Sequence, residues 1–330
     1  MIHKNDILNT TIDVMNVRQF EYILAVAKYK QFETAAEHCF ATQSTLSTMI
    51  SKFEEEIGIK IFDRKRKPVE ITKEGAIILE QLKHIQTSIE ELTEITKEIK
   101  GEIKGNLRIA AIPTIAPFLL PLFLQNFAAK FPELHIEIRE LTTQEIIQRL
   151  KRRELDIGIL STPLQEDDII EHHLYNEPFV LFDTSNRYRK TNQIHDISAE
   201  DLWLMEEGHC MRTQIMNLCE LSQKSNNPIL NFDFRAGSID SLLRFVKAHS
   251  ATTLLPYLAT LEFSEKEKKQ VKLIDSPIPQ RAVGLVVHRY FVKKSVLNLL
   301  KNEILEKVTP LLPKTTSNSI ELAPILKTKK

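Results

Sequence analysis

The chain has 330 residues, 42% apolar and 27% charged, the make-up of a globular protein with two or three domains. Its 44 basic and 44 acidic residues cancel, so any nucleic-acid binding has to come from local charge and not from a whole-molecule basic field. Its three cysteines, Cys39, Cys210 and Cys219, fall in no CxxC or CxxH spacing and point to neither a disulfide framework nor a zinc site; no metal or cofactor is expected.

The segment Met1–Val17 lacks the apolar run of a signal peptide. Residues 15–72 read as three short helices and a hairpin. Val17, Phe20, Ile23, Leu24 and Ala27 recur at helical spacing, and a second helix, rich in small residues, runs from Glu33 to Phe40. Thr42-Gln43-Ser44-Thr45 offers capping chemistry for a third helix with Leu46, Ile50 and Phe53 on one face, ended by Gly58. Asp63-Arg64-Lys65-Arg66-Lys67-Pro68 is a cationic turn between two apolar runs, a wing beside a helix-turn-helix. Cys39 reads as a core thiol.

From residue 73 to 100, Ile77, Ile78, Leu82, Ile85, Ile89, Leu92, Ile95 and Ile99 form a stripe with steps of three and four. A lone helix of that length is marginal in water, so the stripe predicts a partner, most economically a second copy. Gly101 and Gly105 close this 73–104 linker as a hinge.

The apolar stretch Ile109–Ala129 approaches membrane-spanning length, but Pro113, Pro117 and Pro121 would break a spanning helix. A strand, a Pro-rich loop and a helix beginning near Pro121 fit better, so no membrane contact and a cytoplasmic location are expected. Strands and helices then alternate, which predicts α/β. His135–Leu141, Thr143–Arg153 and Leu155–Leu160 form one βαβ unit, echoed by Phe232–Arg235, Ser238–His249 and Thr253–Leu255. Two lobes with a cleft follow: residues 105–180 with 281–308, and residues 181–280, leaving 309–330 as a flexible tail.

Phe20, Phe32, Ala35-Ala36, Gln43-Ser44-Thr45-Leu46-Ser47, Glu54, Gly58, Ile61-Phe62-x-Arg64 and Thr72-x2-Gly75 together resemble the LysR-type regulators. Ser44 stands where that family usually has proline. The resemblance implies a winged helix-turn-helix, a dimerising linker helix and a two-subdomain, periplasmic-binding-protein-like regulatory domain. Ile112–Pro121, Leu204–Arg212 and Arg281–Val286 are similar to the peroxide-sensing members. Thr213, and Ser250-Ala251-Thr252 in place of a glycine-containing turn, depart from them. Met15-Asn16-Val17-Arg18 resembles their usual start, so residues 1–14 read as an extension or a misplaced start codon.

A recognition helix sets its N-terminal residues at base edges, which assigns Gln43, Ser44, Thr45 and Ser47 to DNA bases, with helix capping as the alternative for Gln43 and Thr45. Lys52 and the wing residues Arg64, Lys65 and Arg66 are assigned to phosphate or minor groove, with a plain solvated turn as the alternative for the wing. At the other end, Gly208-His209-Cys210 precedes a segment, Arg212–Glu220, that reads as helix. A cysteine at a helix start beside His209 and Arg212 favours thiolate, which attacks peroxide to give a sulfenic acid that condenses with a second thiol. His209 is read as structural or pKa-tuning and not as a metal ligand.

The resemblance implies that Cys210 and Cys219 pair on oxidation and reorganise the oligomer. It also implies that Thr114, Thr143 and Arg281 surround the reactive sulfur, with a plain helix-cap or surface role as an equal alternative for each. Two unrelated thiols remain the alternative. Nine helical residues span roughly 13–14 Å, whereas a disulfide needs Cα atoms within about 7 Å, so pairing would refold residues 211–218. The partners implied are promoter DNA, a second copy with a tetramer beyond it, hydrogen peroxide, RNA polymerase and a thiol reductant. A regulator whose cleft binds a small co-inducer is the competing reading; a thiol peroxidase is a third, and no enzymatic activity is expected.

Overall fold

The computed structural model describes residues 16–188, 196–197, 202–206, 210–218, 236–275, 277–313 and 319–324. Among them the chain forms two units, one up to Thr96 and one from Lys97 onward.

In the first unit, Asn16 caps helix α1 (Val17–Tyr29): its side chain accepts from the Arg18 N–H, and its own N–H donates to Gln19. Helices α2 (Phe32–His38) and α3 (Gln43–Ile57) follow. Phe20, Ile23 and Val26 of α1 meet Ala35, Ala36, Leu46, Ile50 and Phe53 in one buried core. Helix α2 stops short of the expected Phe40, which stands exposed at positive φ where the chain turns toward the cap of α3. Cys39, expected in the core, is half-buried at the end of α2 because the backbone leaves the helix there; burial and the nearby Glu21 both raise its thiol pKa. Strands β1 (Phe62–Asp63) and β2 (Glu70–Ile71) pair antiparallel and carry the wing between them.

Helix α4 (Lys73–Lys100) covers the stretch read from its stripe. A side chain at Gly75 would overlap the Ile61 carbonyl and come within 2.8 Å of Thr72 Oγ1, so the start of this helix can approach the wing only at a glycine. Leu79 and Leu82 join the first core and Ile78 packs against it, but Leu92 is 65% exposed and Ile99 81%, leaving the far end of the stripe largely bare in the single chain. No helix among the described residues is long and apolar enough to cross a membrane.

The second unit begins with β3 (Gly105–Ala111), α5 (Ala116–Lys130), β4 (Leu134–Glu140), α6 (Thr143–Lys151) and β5 (Ile157–Thr162). The long strand β6 (Ile169–Asp183) leads on to α7 (Cys210–Leu218), α8 (Ile239–Ala248), β7 (Thr252–Pro256) and a 3-10 turn at Tyr257–Thr260. After α9 (Glu265–Lys268) and β8 (Val271–Leu273) come β9 (Ile278–His288), α10 (Lys294–Val308) and β10 (Ser319–Glu321). The sheet runs β4-β3-β5-β9-β6-β7, with β8 on β6 and β10 on β9.

Two expectations here need correction, the start of the Pro-rich helix and the loose tail. Helix α5 begins at Ala116 with Pro117 in its first turn, and Pro121 lies inside it. An internal proline costs about 3 kcal/mol, which the burial of Leu119, Phe123 and Phe127, at roughly 1.5–3 kcal/mol each, outweighs. Strands β4 and β5, joined by α6, run parallel as the expected βαβ unit, with β3 between them in the sheet. In the second expected βαβ unit, residues 232–235 lie outside the described residues, while Ser238 caps α8 as read. The tail is not loose throughout, because β9 offers a free ladder edge: β10 pairs on it, and Leu322 is buried.

Two cores result. One joins Leu107, Ile109, Phe123, Ile157 and Val283 to Leu300 of α10; the other joins Phe179, Phe182, Met211, Leu242 and Leu254. β6 feeds both, with Tyr175 in the first and Phe179 in the second.

At the edge of the first core, Asp156 accepts from the Arg108 N–H at 2.8 Å, from its guanidinium at 3.1 and 3.2 Å, and lies 3.3 Å from Lys293. Burial alone would raise the pKa of this carboxyl, but Arg108 and Lys293 outweigh it and hold it below its ordinary 3.8. Its stabilisation is therefore full above the unfolded value and is lost as pH falls through the lower folded one. Asp156→Asn is expected to cost about 1.5–3 kcal/mol in urea unfolding at pH 7, with the gap closing well below pH 3.8. A gap that stays constant down to acid pH would remove Asp156 as its source.

Candidate nucleic-acid interface and redox centre

Thr42 precedes α3 with β geometry and accepts from the Thr45 N–H at 3.2 Å, so the cap is Thr42 and not Gln43 or Thr45. Gln43, Ser44 and Thr45 are exposed on the first turn; the Thr42 hydroxyl holds Ser44 Oγ at 3.0 Å and Thr45 Oγ1 at 2.8 Å. Gln43 is thus left with an exposed amide at the helix start. Ser47, one turn on, accepts from Arg64 at 3.1 Å.

Glu54, whose role the sequence did not reveal, organises this surface. Its fully buried carboxylate accepts from the backbone N–H groups of Ile61 (2.8 Å) and Phe62 (3.1 Å) and pairs with Arg64 at 3.2 Å and Lys60 at 3.4 Å. It fastens the first wing strand to α3. Arg64 lies over the Phe32 ring at 5.0 Å as well, so its guanidinium is held on three sides. Arg66 pairs at the surface with Glu70 (2.8 Å) and Asp63 (3.6 Å), and Lys52 lies 3.8 Å from Glu56. Exposed pairs of that kind are worth about 0–1 kcal/mol and open readily to a stronger anion. Lys65 is exposed on the wing.

In the second unit, Cys210 is the first residue of α7 and 8% exposed, with Sγ 3.9 Å from Ser161 Oγ on β5. Its side chain sits in the first core, while Met211 and Ile215 of the same helix sit in the second. Helix α7 therefore packs into both cores, Cys210 into the first and Met211 and Ile215 into the second. Arg212 donates to the Met205 carbonyl at 3.0 Å.

Arg281 and Glu177 stand opposite one another in the β6–β9 ladder, each 1% exposed, bonded through Nε at 2.9 Å and Nη2 at 2.7 Å. Arg281 also donates to Thr114 Oγ1 at 3.1 Å and to the Thr114 carbonyl at 3.0 Å; the other Glu177 oxygen accepts from the Leu258 N–H at 2.9 Å. The structure thus brings Arg281 and Thr114 together around an acid that the sequence reading missed. Beside them the Tyr175 hydroxyl is buried; burial and Glu177 push its pKa well above the ordinary 10, with Arg281 opposing. Thr143 is half-buried at the start of α6, which its neighbour Thr142 caps, and among the described residues no hydrogen bond joins it to this cluster. His209 and Cys219 lie outside the described residues.

Residues 100–308 match the family described as LysR substrate binding domain, and residues 17–76 match bacterial regulatory helix-turn-helix protein, lysR family. The chain belongs to the LysR family. Among similar LysR-type proteins, the hydrogen peroxide-inducible genes activator of Haemophilus influenzae is 31% identical, over 82% of this chain and 90% of its own length. The DNA-binding transcriptional dual regulator OxyR of Escherichia coli is also 31% identical, over 82% and 89%. A full-length OxyR variant from Pseudomonas aeruginosa has a similar fold, with a TM-score of 0.67, 25% identity, and coverage of 88% of this chain and 94% of that one.

In this LysR-type regulator, Glu54, Ser161 and Glu177 are neighbours of the candidate site residues to which sequence reasoning gave no role. Glu54 was visible as part of the family pattern; Ser161 and Glu177 lie in strands whose partners only the sheet register supplies. Removing one member of a buried ion pair strands the other charge. Glu177→Gln is therefore expected to destabilise the protein by about 3–5 kcal/mol in urea unfolding. A loss below about 1 kcal/mol, the range of a surface pair, would mean that the Arg281 charge is not held by Glu177.

Proposed function

We propose that this LysR-type regulator binds promoter DNA through α3 and the wing and senses hydrogen peroxide through Cys210 and Cys219. The observation that carries the reading is the placement of Cys210. It is a nearly buried thiol at the first position of α7, beside a serine hydroxyl, and Cys219 stands nine positions on in the sequence. The names of the relatives, activators of peroxide-inducible genes, support the same chemistry.

The steps balance without a cofactor. The Cys210 thiolate attacks one peroxide oxygen, the O–O bond breaks, and the departing hydroxide takes a proton to leave as water. Cys219 then attacks the sulfur of the sulfenic acid; the S–S bond forms, the S–O bond breaks and a second water leaves. Peroxide takes up two electrons, and a thiol reductant returns them. Because α7 runs from Cys210 to Leu218, the bond requires those turns to unwind, drawing Cys210 out of the first core. Thr114 and Arg281 shape the buried surroundings of that core, with Thr143 and His209 as further candidates for peroxide contact.

At the output end, Gln43, Ser44, Thr45 and Ser47 face base edges, and Lys52, Lys65 and Arg66 meet phosphate. Arg64 chiefly positions the wing, since Glu54, Ser47 and Phe32 already hold it. Two chains pair along the bare stripe of α4, two such dimers form a tetramer, and unwinding of α7 changes how the recognition helices are spaced for RNA polymerase recruitment.

Two measurements test the reading. Treating the purified protein with slight excess peroxide should yield a Cys210–Cys219 linkage by mass spectrometry and an altered footprint on promoter DNA, both lost in Cys210→Ser. A Cys210→Ser variant that still responds, or a response to an organic ligand alone, would sink it. For assembly, Leu92→Glu combined with Ile99→Glu should lower the self-association seen by sedimentation at micromolar concentration by at least tenfold. Unchanged assembly would move the interface away from α4.

A further inference from the structure

The C-terminal segment lies against the helix that carries Cys210. Ser319–Glu321 pair in parallel with Ile278–Gln280, the stretch of β9 that leads into Arg281. The Leu322 N–H donates to the Gln280 carbonyl at 2.8 Å, and the Gln280 amide donates to Ser319 Oγ at 3.0 Å. Leu322 is 4% exposed in the same core as Met211 and Ile215 of α7, and Pro324 is buried just beyond it. The Leu322 carbonyl accepts from Gln214 Nε2 at 2.7 Å. Gln214 is fully buried one helical turn after Cys210, and its Oε1 has no partner among the described residues. Its position therefore depends on the bond to Leu322. The segment 319–324 itself lies past residue 308, where the match to the LysR substrate binding domain ends.

We propose that residues 319–324 form a strap that holds α7 in the reduced form and so sets how readily Cys210 and Cys219 are oxidised. This rests on the disulfide reading above. Bringing the two sulfurs together unwinds the turns between them, and Gln214 lies in the middle of those turns. The Gln214–Leu322 bond is lost along with the helix, and Leu322 loses Met211 and Ile215 as fixed neighbours. A contact made in the dithiol form and broken in the disulfide form favours the dithiol. Gln214 is a positioning residue: it anchors the helix and takes no part in the transfer of electrons.

The test is the equilibrium of the Cys210–Cys219 pair in glutathione buffers of graded potential, read as the linked peptide by mass spectrometry. The full chain is compared with a chain lacking residues 319–330, with Gln214→Leu and with Leu322→Ala. Each variant should become half-oxidised in a buffer about 30 mV more reducing, a tenfold shift in the equilibrium constant. Combining the truncation with Gln214→Leu should add no further shift, because both remove the same contact. The Leu322→Ala variant keeps the test decisive should the truncated chain fail to fold. A parent chain that forms the bond, with variants at the parent potential, overturns the strap alone. Fully additive shifts overturn the Gln214–Leu322 link as its basis. A parent chain that forms no 210–219 bond overturns both the strap and the reading beneath it.

Discussion

The regulatory sheet depends on a charge pair with almost no access to water. Arg281 and Glu177 are directly opposite in the β6–β9 ladder, and β6 feeds both cores. A one-residue slip in that ladder would move both side chains to the wrong face, leaving a buried cation beside apolar strands and an acid without its N–H donor. The pair therefore penalises wrong register more than it stabilises the right one. It also fixes two other places: Thr114, just before α5, through Arg281, and Leu258, in the 3-10 turn after β7, through Glu177. The surroundings of the Cys210 core inherit their geometry from that register.

The first unit solves a similar problem with Glu54. Both acids are buried, both hold an arginine, and both accept backbone N–H groups that would otherwise lack a partner. In one case the result is a wing fastened to the recognition helix; in the other it is two lobes joined along one ladder. The residues proposed to meet DNA thus sit on elements fixed by an ion pair, whereas α7, the helix proposed to switch, is held by the hydrogen bonds of Arg212 and Gln214 and by packing into the two cores.

Periodicity made the helical parts of this fold legible. The stripe from Ile77 to Ile99 gave α4 its extent because 3.6-residue spacing survives without any knowledge of the partner. Capping was legible as the stretch Thr42–Thr45 but not as a single residue, since Thr42 and Thr45 are equally good cap chemistry and only backbone geometry selects Thr42. Helix α5 was misread because proline signals a helix start locally, whereas the burial of Leu119, Phe123 and Phe127 decides that the helix begins earlier. Among 44 acidic residues, nothing in its local sequence marks Glu177 as buried; long-range strand pairing does. The tail failed for the same reason. Its composition is polar, but the free edge of β9 lies about forty positions upstream in the chain.

The bare stretch of α4 has a consequence for how much of this protein a cell can keep. A helix with Leu92 and Ile99 facing water is marginal alone, and the species that covers those side chains gains share with concentration by mass action. When the covering surface is a second copy, the amount of durable protein rises faster than the amount synthesised. Newly made chains at low copy number are then the ones most open to proteolysis along the linker. Gene dosage, and not only the oxidant, becomes a control on how many promoters such a chain can occupy.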